Sequence, residues 1–122
     1  PEAENRFSFW NLWGLVALWK SDLEKAELYF TRALSARKVT KKDRSATLND
    51  LSWTLILQAR YEEAKNFLEE SLRVYPYSIT THLNLQYCFR QMGEIDKANV
   101  ILDRAFGLCP YDRRVFVARM LS

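Results

Sequence analysis

Small residues punctuate this chain at a fixed interval. Ala26, Phe30 and Ala33 share their spacing of four and three with Ala64, Leu68 and Ser71, and again with Ala98, Leu102 and Ala105. The second trio follows the first by 38 residues, and the third follows the second by 34. Positions three and four apart share one face of a helix. Each trio therefore marks a helix that keeps small side chains where a neighbour comes close. Sixteen residues ahead of the trios stand Trp10, Leu48 and His82, and five residues beyond them Lys38, Pro76 and Pro110. Leu48, Leu51 and Leu55, and Leu83 with Tyr87, carry helical spacing of their own. Repetition on this scale is the signature of stacked two-helix units. The pattern predicts helices over 8–19, 22–37, 42–58, 61–74, 79–91, 95–107 and 112–121.

Local signals supply the ends. Ser21-x-x-Glu24 reads as a capping box opening the second helix, and Thr40-x-x-Asp43 as a weaker one opening the third. Ser78 and Asp112 are N-cap residues by type, and Pro76 and Pro110 stop the helices before them. Gly93 suits a helix C-terminus, where left-handed backbone angles are needed. The four extra residues between the first two repeats fall at Val39 to Lys42. The last helix lacks a partner and is expected to lie as a lid on the apolar face of the third repeat.

These residues resemble the tetratricopeptide repeat, whose pattern runs W-x2-L-G-x2-Y, then small Ala, a large apolar residue, Ala and Pro. Repeat one matches through Trp10, Gly14, Ala26, Phe30 and Ala33; repeat two through Leu51, Ala64 and Pro76; repeat three through Leu85, Ala98, Ala105 and Pro110. Ser52 and Gln86 replace the glycine, which is expected to hold those helix pairs slightly further apart. The resemblance implies an all-α, right-handed α-solenoid of three helix-turn-helix repeats (about 7–40, 45–78 and 79–112) with a capping helix over 112–121. Residues 1–122 are then one domain, expected to be part of a longer protein because it stops within what would be a fourth repeat.

In this family the first helix of each pair lines the concave side. Transferred residue by residue, the lining is Asn11, Leu15, Leu18 and Trp19; then Asn49, Trp53, Ile56 and Leu57; then Leu83, Asn84, Tyr87, Arg90 and Gln91. Much of it is apolar, so the implied activity is that of an adaptor or scaffold holding an apolar or amphipathic protein or peptide. The alternative for these residues is packing against neighbouring helices. Some family members clamp a C-terminal carboxylate with cations; the matching places here hold Asn11, Leu15, Asp50, Thr80 and Asn84, and an acid among them argues against that ligand.

Composition narrows the rest. Three glycines and three prolines are too few for the turns of a sandwich or barrel. Phe7 to Trp19 is the most apolar stretch, shorter than the ~18 residues of a membrane span and interrupted by Ser8, Asn11 and Gly14. No signal peptide is visible, and Cys88 and Cys109 have no metal-binding spacing, which favours a reducing, cytoplasmic setting and two small buried side chains. One histidine, His82, in the family's tryptophan slot, leaves no parts for a catalytic triad or a His-rich metal site. The three glycines are scattered, so no phosphate loop exists. Glu62, Glu63, Glu69 and Glu70 read as solvated helix charges near Lys65 and Arg73. No enzyme and no cofactor are expected. The net charge of +3 is local: residues 37–44 carry +4 and residues 112–119 +2. A competing reading is therefore an RNA-binding helical repeat using Arg37 to Arg44; a third is a self-associating assembly module.

Overall fold

The computed structural model describes residues 2–122, with side chains from Arg6 onward. The described residues form α1 (Glu2–Trp19), α2 (Leu23–Leu34), α3 (Lys41–Ile56), α4 (Tyr61–Val74), α5 (Ile79–Gln91), α6 (Ile95–Leu108) and α7 (Arg113–Leu121), with no strand among them. Helices account for 79% of the chain, an all-α helical-repeat solenoid. α1 pairs with α2, α3 with α4 and α5 with α6; α2 then packs on α3, and α4 on α5. The first helices also touch in series, α1 to α3, α3 to α5 and α5 to α7, and form one layer.

The three hairpin turns are copies of one another. Ser21, Ala59 and Gly93 have φ of 62°, 58° and 79°. Behind each, an amide closes onto the carbonyl five residues back: Asp22 to Ala17 (2.8 Å), Arg60 to Leu55 (3.0 Å) and Glu94 to Phe89 (2.8 Å). These bonds satisfy carbonyls that a helix end leaves bare. Only the third turn uses glycine, so Ser21 and Ala59 each carry a left-handed backbone costing about 1 kcal/mol. This geometry corrects the first capping assignment. Ser21 is the left-handed residue of the turn, and Asp22 caps α2 by accepting from the Lys25 amide at 3.3 Å. Thr40, Ser78 and Asp112 cap as predicted, accepting from Asp43, Thr81 and both Arg114 and Val115.

α2 stops at Leu34 rather than 37, and Arg44 Nη1 donates to the Leu34 carbonyl at 3.0 Å. The additional residues of the first repeat thus sit in the loop 35–40.

Ala26, Ala64 and Ala98 are fully buried, as are Phe30, Leu68 and Ala105. Phe30 fills the space left by Gly14: a Cβ at Gly14 would lie 2.5 Å from the Phe30 ring. Between α3, α4 and α5 the core is hydroxylated. Ser71 Oγ donates to the Ser45 carbonyl at 3.0 Å, and lies 2.7 Å from Ser45 Oγ and 3.4 Å from Thr81 Oγ1. His82 is buried, its Nδ1 2.7 Å from the Ser78 carbonyl. Cys88 is buried with its thiol pushed up to about 11 by desolvation, whereas Cys109 is half-buried, a correction to the pairing of the two as core residues. On α7, Val115 packs with Leu102 and Ala105, while Phe116, Val117, Met120 and Leu121 remain exposed. Among the described residues no helix is long and apolar enough to cross a membrane.

Candidate protein-binding face

The layer of first helices exposes a face whose rows follow the repeat register. On α3, Thr47 Oγ1 donates to Asn11 Oδ1 of α1 at 2.8 Å, and Asn49 Oδ1 accepts from Asn84 Nδ2 of α5 at 3.0 Å. These bonds fix which sides of α3 meet its neighbours. Between them runs the stripe Ala46, Asp50 and Trp53, the positions of α3 beyond its first turn that are not buried, continued by the exposed C-cap Leu57. The hairpin partner α4 covers the opposite side, so this stripe is the exposed floor of the first-helix layer, the side that the family register makes concave.

The predicted lining separates into rows. Leu15, Trp53 and Tyr87 occupy equivalent positions and are exposed to the same degree, 38%, 40% and 39%. Trp19, Leu57 and Gln91, one turn on, are also exposed. Asn11, Asn49, Asn84 and Leu83 lie lower: the asparagines make the interhelix bonds just described, and Leu83 packs beside Leu102 and Val115. The third row differs from the expectation. Ile56 is a core residue, Leu18 packs against the same core, and Arg90 turns to α6, donating to Asn99 Oδ1 and to Gln86 Oε1, both at 2.7 Å. Three residues advance a helix by about 300°, which carries this row from the concave side back to the hairpin interface. Tyr87 sits edge-on to Tyr61 of α4, ring centroids 6.3 Å apart.

Two features of the face lie outside the predicted apolar lining. Leu12, Asp50 and Asn84 form a further row, in which Asp50 is half-buried in the middle of the floor. The sequence names it as the acid among the clamp places, one turn before Trp53. Beyond α5, a cleft of about 500 Å³ against α7 is lined by Arg90, Arg113 and Arg114 with Val117 and Leu121, so this end of the face is cationic. Arg114 is held by Asp112 and donates to Thr80 Oγ1 at 2.9 Å. Of the basic segment, Arg44 is engaged by the Leu34 carbonyl and Glu70. Three of the four acids of α4 are salt-bridged surface charges: Glu62 to Lys65, Glu63 to Arg60, Glu70 to Arg44.

Burial pushes the Asp50 carboxyl from 3.8 up to about 6, with no neighbouring charge contributing. A raised carboxyl favours the folded state when protonated, so its contribution is full below pH 4 and is lost as pH rises to about 6. The displacement bounds the cost of the ionised group at about 3 kcal/mol, and partial access of water reduces this to about 1–2 kcal/mol. Asp50→Asn should therefore stabilise the protein by that amount at pH 7.5 and by much less at pH 4, as read by urea unfolding. Buried His82, its pKa lowered by desolvation, acts with the opposite sign as pH falls below 6.5. It is common to both proteins and drops out of their difference. An unchanged difference across this range would show that Asp50 is solvated like a surface acid.

A tetratricopeptide repeat family model matches residues 5–77. The chain belongs to the tetratricopeptide repeat family. Its structure is similar to the TPR domain of OM64 from Arabidopsis, with a TM-score of 0.85 at 12% identity, covering 98% of this chain and 95% of that one. It is also similar to a chain of the APC/C hetero-tetramer Cut9–Hcn1, with a TM-score of 0.83 at 21% identity over 93% of this chain; the match spans 23% of that longer chain. Among curated proteins, none matches in sequence. The tetratricopeptide fold is that of a protein–protein interaction module.

Proposed function

We propose that residues 1–122 act as one adaptor unit, without catalysis, that holds a protein or peptide segment on the concave face of α1, α3 and α5. The observation that carries this reading is the row Leu15, Trp53 and Tyr87, three large side chains from three successive repeats, equally exposed on one surface. A single exposed apolar residue is ordinary, whereas a contiguous set marks an interaction surface. The row continues into Trp19, which is 85% exposed, and into Leu57. A ligand lying across it would cross all three repeats. Engagement of Arg44 within the fold removes a cation from the segment that an RNA-binding reading requires.

Amide mapping by NMR tests the placement. Titration with a bound peptide should move resonances of α1, α3 and α5 around Leu15, Trp53 and Tyr87, and leave the outer positions of α2, α4 and α6 in place. Perturbations confined to those second helices, or to residues 37–44, would overturn it.

A further inference from the structure

The floor of the concave face holds a charge that the fold does not use. The Asp50 carboxylate has no hydrogen-bond or ion-pair partner among the described residues, its backbone carbonyl alone accepting from Thr54 Oγ1, and the side chain is half-buried. Three cations of the packed elements are engaged elsewhere, and Arg113 and Arg114 line the cleft beyond α5. Arg60 is held by Glu27 and Glu63, Lys65 by Glu62, and Arg90 by Gln86 and Asn99. No contact within the fold uses the charge, and asparagine is expected to serve the fold at least as well. Apart from Asn84 in its own row, the exposed residues near Asp50 are apolar: Leu12 and Leu15 stand on the neighbouring helix, and Trp53 lies one turn along α3. An anion set in an apolar floor is complementary to a cation on an aliphatic stem, whose methylenes lie on the hydrophobic surround. The face of Trp53 adds cation–π attraction.

We propose that the segment received by this face is an amphipathic peptide with one lysine or arginine ion-paired to Asp50 and apolar side chains packed on Leu15, Trp53 and Leu57, short of the cationic cleft at α7. The inference rests on the concave face being the peptide site. It adds a charge requirement opposite to that of a carboxylate clamp.

The test uses phage-displayed random 16-residue peptides selected on the intact 122-residue protein, with affinities of synthesised peptides measured at physiological salt. Selected sequences should share one lysine or arginine at fixed distance from large apolar residues. Replacing that residue by norleucine, which keeps the stem and removes the charge, should weaken binding about 10-fold or more. Asp50→Asn should do the same, and the two changes together should cost no more than either alone. Additive losses, or selected peptides with no recurrent cation, would overturn the assignment. If such peptides still lose affinity on Trp53→Ala, the face remains the binding site and only the role of Asp50 falls. Peptides indifferent to both Trp53→Ala and Asp50→Asn, including any that pair the protein with itself, remove both readings, as does a selection that enriches nothing.

Discussion

Trp53→Ala should weaken binding of a concave-face peptide about 30-fold or more, corresponding to about 2 kcal/mol, while leaving the helical spectrum intact. Three properties single out this side chain. It is 40% exposed, so a large part of the indole is available for contact and the remainder anchors it in a fixed orientation. It stands on α3, the middle of the three lining helices, where a ligand spanning the face must pass. Its ring offers wide apolar area together with an N–H that can orient a partner. Trp13 provides the control. It is exposed to a similar degree, 48%, but lies beside Tyr29 of α2, ring centroids 6.4 Å apart, on the outer edge of the first repeat. Trp13→Ala should change affinity little. Loss of helix in the Trp53 variant would place that residue in the core. Normal folding with normal binding would move the partner to the convex side or the basic loop.

The helices were legible because the sequence repeats its small residues in register, and packing forces that repetition. Ala26, Ala64 and Ala98 are each at zero exposure, where nothing larger fits. Loss of legibility set in where residue type no longer distinguishes environments. Ser45, Ser71 and Thr81 read as polar, yet they bury hydroxyls that satisfy one another. Ser21 and Asp22 are both good capping residues, and only the left-handed turn decides between them. Leu15, Trp19, Trp53, Leu57, Tyr87 and Gln91 are exposed on the layer of first helices where the family register puts them, but that register alone does not say how far each helix is rotated. The row Leu18, Ile56 and Arg90 thus turned inward, and Asp50 entered the floor.

Phe30→Ala should destabilise the first repeat by about 3–5 kcal/mol, the range for deleting a buried ring from a packed core. Phe30 has no exposed surface and its ring occupies the space opposite Gly14. Each repeat in a solenoid is supported chiefly by its neighbours. Three of the four tryptophans, Trp10, Trp13 and Trp19, lie on α1. Tryptophan fluorescence should accordingly report unfolding at lower urea than far-UV circular dichroism in this variant, as the first hairpin leaves a still-folded remainder. Coincident curves would mean that the hairpins unfold as one unit. The Gly14–Phe30 pair also explains how the chain does without glycine elsewhere: at the equivalent places the second repeat has Ser52 with Leu68, and the third Gln86 with Leu102. A smaller apolar residue leaves room for a side chain across the hairpin. Gly14→Ser alone forces its Cβ into the ring of Phe30 and should cost about 1–3 kcal/mol. Adding Phe30→Leu, which restores the second repeat's combination, should recover at least about 1 kcal/mol relative to the sum of the two single changes. Strict additivity would show that the two positions are independent, and that the close approach of Gly14 to Phe30 does not set the spacing of α1 and α2.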